Sequence, residues 1–253
     1  MTTKALTGQR VIVTRAADRS GSLSDMLRAV GAEVVEIPVT VTVDAADGGE
    51  ALAVALAAVD RYDWIVVTSP EGARRVRTAL GDRLQGPHRP LFATVGQATA
   101  EALREEQPGL RVDLISTVQT GAGLGAEFPS GSGRILLAVA RDAGTDFEKA
   151  ARAKGWTVDR VTAYATEPVP QTLDPDRQRE IMSCAAVTFT AASAVKSWVA
   201  AFGLVVPPII VAIGPQTGAA VRSAGLGDYV IATDHSLEGV VTAVVKALNG
   251  DDE

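Results

Sequence analysis

With a single cysteine, Cys184, the 253-residue chain has no intramolecular disulfide and no cysteine-built metal site. Its apolar neighbours point to a buried, inert thiol rather than a nucleophile. Histidine is almost as scarce. His88 lies in Gly-Pro-His-Arg-Pro and His235 in Thr-Asp-His-Ser, and neither has a second histidine at zinc-binding spacing. Both are expected in surface loops, and no metal is expected. No apolar run approaches the roughly 18 residues that cross a bilayer, and Met-Thr-Thr-Lys-Ala-Leu lacks the apolar centre of a signal peptide. The expectation is a cytoplasmic protein with no membrane partner. An excess of basic charge is also missing: 24 Lys and Arg against 30 Asp and Glu give a net charge of −6. That argues against nonspecific nucleic-acid binding, which needs a basic face, while leaving room for a local basic cleft. Neither Gly-x-Gly-x-x-Gly after the first strand nor Gly-Lys-Ser/Thr occurs, which disfavours a nucleotide-dependent transferase.

What is present is an ordinary globular composition, 47% apolar and 21% charged, in a chain long enough for two domains. Short β-branched runs alternate with segments carrying apolar residues at three-to-four spacing. Strands are expected at 11–14, 64–68, 91–95, 135–139, 186–190, 209–213 and 229–232. Helices are expected at 22–30, 70–80, 99–106, 145–154, 192–202 and 216–224. This rhythm predicts an α/β protein of doubly wound parallel sheets, which bind ligands beyond the carboxyl ends of their strands.

The chain also repeats itself. Ala-Thr-Val-Gly-Gln-Ala-Thr-Ala-Glu-Ala-Leu-Arg, ending at Arg104, returns as Val-Ala-Ile-Gly-Pro-Gln-Thr-Gly-Ala-Ala-Val-Arg, ending at Arg222. Each copy reads as a strand that breaks at a glycine, Gly96 or Gly214, and enters a helix at a hydroxyl residue, Thr99 or Thr217. Backbone N–H groups open at a helix N-terminus suit an anion, although such hydroxyls also cap helices for stability alone. One strand upstream, 66–73 pairs with 188–195, placing Ser69 and Ser193 in the corresponding turns. A second pair links Val11-Ile-Val-Thr-Arg15 with Leu137-Ala-Val-Ala-Arg141, so an arginine leaves a strand end in each copy. The order is A, B, A′, B′, and periodicity alone does not decide which A packs with which B. Two extended connectors, 39–50 and 166–175, suggest a chain that crosses to a second domain and returns, with hinge motion between the two. Arg74, Arg75 and Arg77 read as a solvated helix face.

Six segments in order resemble the uroporphyrinogen-III synthase family. They are the Val-Thr-Arg strand end, Gly-Ala-Glu-Val-Val-Glu-Ile-Pro at 31–38, Val-Thr-Ser-Pro at 67–70, Val-Gly-Gln-Ala-Thr-Ala at 95–100, Val-Asp-Arg-Val-Thr-Ala-Tyr-Ala-Thr at 158–166 and Ile-Gly-Pro-Gln-Thr at 213–217. The chain departs from the family pattern at Thr190-Ala191-Ala192-Ser193, where a Thr-Ser-Pro-type turn is expected, and at Glu71, where a basic residue is common.

The resemblance implies two domains, 1–39 with 168–253 and 40–167, related by duplication and joined by a two-stranded β linker, with the active cleft between them. It implies cofactor-free dehydration and cyclisation of a linear hydroxymethyl tetrapyrrole, with inversion of the last ring. The partner would then be a polycarboxylate tetrapyrrole, handed over transiently by the enzyme that makes it; independently of the resemblance, a monomer is the default expectation. The family's tyrosine falls at Tyr164, as a helper proton donor. Arg15, Ser69, Gly96, Thr99, Arg141, Ser193, Gly214 and Thr217 would hold the substrate carboxylates. The same turns would also serve a non-catalytic module that closes on a small anion.

Overall fold

The structure, a computed structural model, describes residues 4–15, 17–81, 83, 89–105 and 109–250, with the side chains of 17–21 left aside. His88 lies outside the described residues. By contacts the chain divides into two compact units, 1–42 with 167–253, and 43–166.

The first unit contains β1 (Arg10–Val13), α1 (Ala17–Ala29) and β2 (Glu33–Glu36) from the front of the chain. From the rear come α7 (Pro175–Met182), β9 (Ala186–Phe189), α8 (Ala192–Phe202), β10 (Ile209–Ala212), α9 (Pro215–Ser223), β11 (Val230–Ile231) and α10 (Leu237–Asn249). Its sheet runs β11-β10-β9-β1-β2, with parallel neighbours throughout. Successive residues of β1 show why the sequence wants this arrangement. Val11 and Val13 point into one core with Leu23 and Val240, whereas Ile12 points into another with Trp198 and Val221. A strand buried on both faces reads as a continuous apolar run, and helices must cover both sides.

The second unit contains α2 (Glu50–Ala57), β4 (Trp64–Val67), α3 (Pro70–Leu80), β5 (Leu91–Thr94), α4 (Gln97–Arg104), β6 (Leu114–Ile115), α5 (Gly121–Glu127), β7 (Arg134–Ala140) and α6 (Asp146–Ala153). Two strands cross the division: β3 (Thr40–Asp44) and β8 (Thr157–Pro168), which are neighbours in the sheet β3-β8-β7-β4-β5-β6. Ile65, Val67 and Leu136 pack towards α2, α3 and α4. Trp64, Val66, Ile135 and Leu137 pack towards α5 and α6, where Phe128 lies 4.8 Å from Trp64, 5.1 Å from Phe147 and 5.9 Å from Trp156.

Setting β3 aside, the two sheets correspond position for position, β11-β10-β9-β1-β2 against β6-β5-β4-β7-β8. The chain enters them at different strands, so one unit is a circular rearrangement of the other. A therefore packs with B′, and B with A′.

Several elements escape the pattern for identifiable reasons. α5 has glycine at 121, 123 and 125, each costing about 1 kcal/mol of helix propensity. The packing requires two of them: a Cβ at Gly123 would stand 2.3 Å from the Val118 carbonyl oxygen, and one at Gly125 would stand 2.6 Å from Ala150 Cβ. β8 hides as a strand because Asp159, Arg160 and Thr162 interrupt its apolar residues.

Candidate functional site

In an open parallel sheet the ligand crevice forms beyond the strand C-termini where the strand order reverses, because the connections there leave on opposite faces. In the second unit the reversal lies between β4 and β7, and in the first between β1 and β9. Ser69 follows β4, Arg141 follows β7, Tyr164 sits near the end of β8, and Gly96 follows β5. In the first unit Arg15 follows β1, Ser193 lies just beyond β9, and Gly214 follows β10. Each unit thus carries its own row of sequence-identified residues along one sheet edge.

The closest association is in the second unit. Ser69 is the N-cap of α3, with extended backbone, and its Oγ accepts the Gly72 N–H at 3.1 Å. The Tyr164 hydroxyl donates to the same Oγ at 3.0 Å, and the Arg141 N–H donates to the Tyr164 carbonyl at 2.9 Å. A register shift brings the tyrosine there. Val139 pairs with Thr162 but Ala140 pairs with Tyr164, so β8 spends an extra residue, Ala163, at this point. A β-bulge places consecutive residues towards one face and re-aims a side chain, and Ala163 and Tyr164 both join the core beneath α3. Tyr164 retains 8% of its exposure.

The surrounding charges are ordered. Glu71, in the first turn of α3, is buried, bonds Arg75 at 2.9 Å and lies 3.8 Å from Arg74. Burial opposes the Arg75 charge, but the hydrogen bonds to Glu71 and Asp44 outweigh it and hold the guanidinium above its ordinary range. Arg74 and Arg77 both reach Glu105, and only 13% of the Arg77 side chain is exposed. These arginines form an ion-paired face rather than the solvated one expected. Arg141 bonds Asp142 at 3.0 Å, while Arg160 donates to the carbonyls of Ala143 at 2.6 Å and Gly144 at 3.2 Å, bracing the loop that follows β7.

The glycine turns differ from expectation in one respect. α4 and α9 begin at Gln97 and Pro215 with Gly96 and Gly214 as N-caps, so Thr99 and Thr217 are third helical residues rather than the entrances. Both threonines are buried, at 3% and 4% exposure. Glycine fits the N-cap but brings no side-chain acceptor. Among the described residues, therefore, no cap side chain takes up the N–H groups of Gln97, Ala98 and Thr99 in α4, or those of Gln216 and Thr217 in α9, whose first residue, Pro215, has none. Ser193 also departs from its expected part. The position equivalent to Ser69 is Ala191, the N-cap of α8, and Ser193 is a second helical residue matching Glu71.

A third repeated feature was not recognised in the sequence. Thr120 caps α5 through the Gly123 N–H, and Ser236 caps α10 through the Gly239 N–H, both at 3.0 Å. The residue before each cap lies over a glycine turn: Gln119 is 3.0 Å from where a Gly96 Cβ would stand, and the His235 ring is 3.5 Å from the Gly214 equivalent. The available signal was Thr-x-x-Gly-Leu at 120–124 against Ser-x-x-Gly-Val at 236–240. His235 is exposed and Cys184 buried, as expected.

These features define a class: a duplicated, doubly wound α/β protein with hydroxyls, arginines and open helix N-termini along the ligand-bearing edge of each sheet. Within that class the match is specific. The family described as uroporphyrinogen-III synthase HemD matches residues 8–242, and the chain belongs to that family. Among curated proteins it is 28% identical to the porphyrin biosynthesis protein HemD of Ruminiclostridium josui, over 98% of this chain and 50% of that protein. It is 26% identical to the chloroplastic uroporphyrinogen-III synthase of Oryza sativa subsp. japonica, over 94% of this chain and 80% of that one. The chain thus spans half the length of the first relative and most of the second. Its fold is similar to that of a mutant uroporphyrinogen III synthase from Thermus thermophilus, with TM-score 0.65 and 23% identity over 96% of this chain and 100% of that one.

Proposed function

We propose that this chain is a uroporphyrinogen-III synthase, closing a linear hydroxymethyl tetrapyrrole into uroporphyrinogen III with loss of water and inversion of ring D, without a cofactor. Family membership favours this over a non-catalytic anion-binding module. The structural observation that carries it is the Ser69–Tyr164 hydroxyl pair at the β4/β7 reversal, because an anion sensor needs donors but has no use for a buried phenol bonded to a helix cap.

The substrate dictates what such a site must do. A flexible chain of pyrroles bearing acetate and propionate groups must be folded so that its ends meet through one particular carbon, and holding that geometry supplies much of the rate. The N–H groups opened at Gly96 and Gly214, and the guanidinium groups of Arg15 and Arg141, suit carboxylates through charge-assisted hydrogen bonds. Thr99 and Thr217 stand in the first turns of the same helices, and Ser193 adds a hydroxyl in the first turn of α8. Loss of the terminal hydroxyl asks little acid strength, since the electron-rich pyrroles expel it. A neutral hydroxyl donor beside the leaving oxygen is sufficient.

We further place the protein in the cytoplasm as a monomer that takes its substrate from the enzyme producing it. Among the described residues no helix is long and apolar enough to cross a membrane. Calorimetric titration with uroporphyrinogen III under reducing conditions, and separately with inorganic phosphate and a sugar acid, tests the substrate class. Binding of the tetrapyrrole with no heat from the small anions is expected. Tight binding of a small anion alone would favour the non-catalytic module.

A further inference from the structure

The duplication provides an internal control for the hydroxyl pair. Ser69 and its counterpart Ala191 have nearly the same N-cap backbone, φ −158° and ψ 152° against φ −158° and ψ 148°, and both introduce helices of 11 residues. α8 forms without a hydroxyl, so the α3 helix does not depend on one for its start. The unit that has the hydroxyl also has the β8 bulge that turns Tyr164 onto it.

The hydrogen bonding distinguishes the two hydroxyls. Ser69 Oγ accepts from Gly72 and from Tyr164, which occupies both lone pairs and leaves its own proton to be donated elsewhere. The tyrosine hydroxyl, in contrast, is spent on Ser69. Resting on the function proposed above, we infer that Ser69 is the group that contacts the departing hydroxyl of the substrate, and that Tyr164 is a positioning residue and proton source behind it. The C–O bond of the hydroxymethyl carbon breaks with its electron pair going to oxygen. Ser69 gives its proton to that oxygen and water leaves. Tyr164 reprotonates Ser69 in the same event. The methylene so freed bonds to the bridge-bearing α-carbon of ring D, and the old bridge bond breaks and re-forms at the free α-carbon of that ring. The proton which that carbon loses turns the phenolate back into the phenol. Protons and electrons balance with no further reactant.

The test is a double-mutant cycle on the full-length chain, reading kcat, KM and the ratio of isomer III to isomer I. Ser69→Gly removes the hydroxyl while costing only a few tenths of a kcal/mol at an N-cap, so the variant is checked for an unchanged melting temperature. We expect kcat to fall by about 100-fold with KM within about twofold, the scale of a lost proton donor. Ser69→Thr restores most of it. Tyr164→Phe lowers kcat alone by about tenfold, and added to Ser69→Gly it lowers it no further, because the two act in series. Equal losses from Tyr164→Phe in both backgrounds, or a Ser69→Gly variant with wild-type kcat, would overturn the assignment while leaving the synthase function standing. Wild-type protein that makes no isomer III would overturn both.

Discussion

The missing hydroxyl on α8 supplies a prediction that depends only on the duplicated geometry. Ala191 holds the N-cap conformation of Ser69 to within a few degrees, is exposed, and has no side-chain acceptor for the third helical N–H. In α3 that N–H, from Gly72, is held by Ser69 Oγ at 3.1 Å. In α8 the equivalent Ala194 N–H is left with a 3.2 Å contact to the Ala191 carbonyl, so it is partly satisfied already. An N-cap hydroxyl is worth about 0.5–2 kcal/mol over alanine. With that existing contact Ala191→Ser belongs at the low end, about 0.5–1 kcal/mol of added stability, or roughly 2–4 °C in the melting of a domain of this size. Urea and thermal unfolding followed by circular dichroism would measure it, with Ala191→Val as the control that gains nothing. An unchanged or lowered midpoint for Ala191→Ser would refute the equivalence of the two caps, and with it the use of α8 as the control for Ser69.

Other substitutions probe the parts that position the site. Gly239→Ala would drive a Cβ to 1.8 Å from the Asp234 carbonyl oxygen, a backbone atom with little freedom to move. A loss of about 3 kcal/mol or more is expected by urea unfolding, beyond ordinary overpacking. Phe128→Ala removes the shared ring of the Trp64, Phe147 and Trp156 contacts, and should lower stability by about 3–5 kcal/mol, read from the same denaturation. Burial pushes the Cys184 thiol up, so the native protein should react slowly with a thiol-specific disulfide reagent and rapidly once unfolded. Because the folded state holds that proton more tightly, stability should decline as pH rises through about 8.5, the ordinary thiol value, and Cys184→Ala should remove that part of the decline.

How much of this was legible in the sequence depended on how local the cause was. Residues 70–80 and 192–202 matched α3 and α8 because their apolar spacing and boundaries lie within one stretch of chain. The glycine turns were visible as repeats, but the helix entrances were displaced to Thr99 and Thr217, because a hydroxyl is the commoner cap and a glycine cap leaves no side-chain signature. The register of the repeat puts an alanine, not a serine, opposite Ser69, so the hydroxyl that Ser193 offers comes from the first turn of α8 rather than from its cap. The packing of A with B′ could not be read from periodicity, since the spacing is the same for either pairing; the family resemblance implies it and the sheet order shows it. Tyr164 came from family resemblance alone. Its bond to Ser69 joins residues 95 apart and depends on a bulge that no local pattern announces.

The measurement that tests the central claim most directly is the isomer composition of the product. The linear hydroxymethyl tetrapyrrole is generated in situ, the protein is added, and the product is oxidised and separated by chromatography. Isomer III in excess over the spontaneous isomer I is the result expected of a synthase. Isomer I alone, from protein shown to be folded, would contradict it and leave a relative that has kept the duplicated α/β framework without the ring-inverting chemistry.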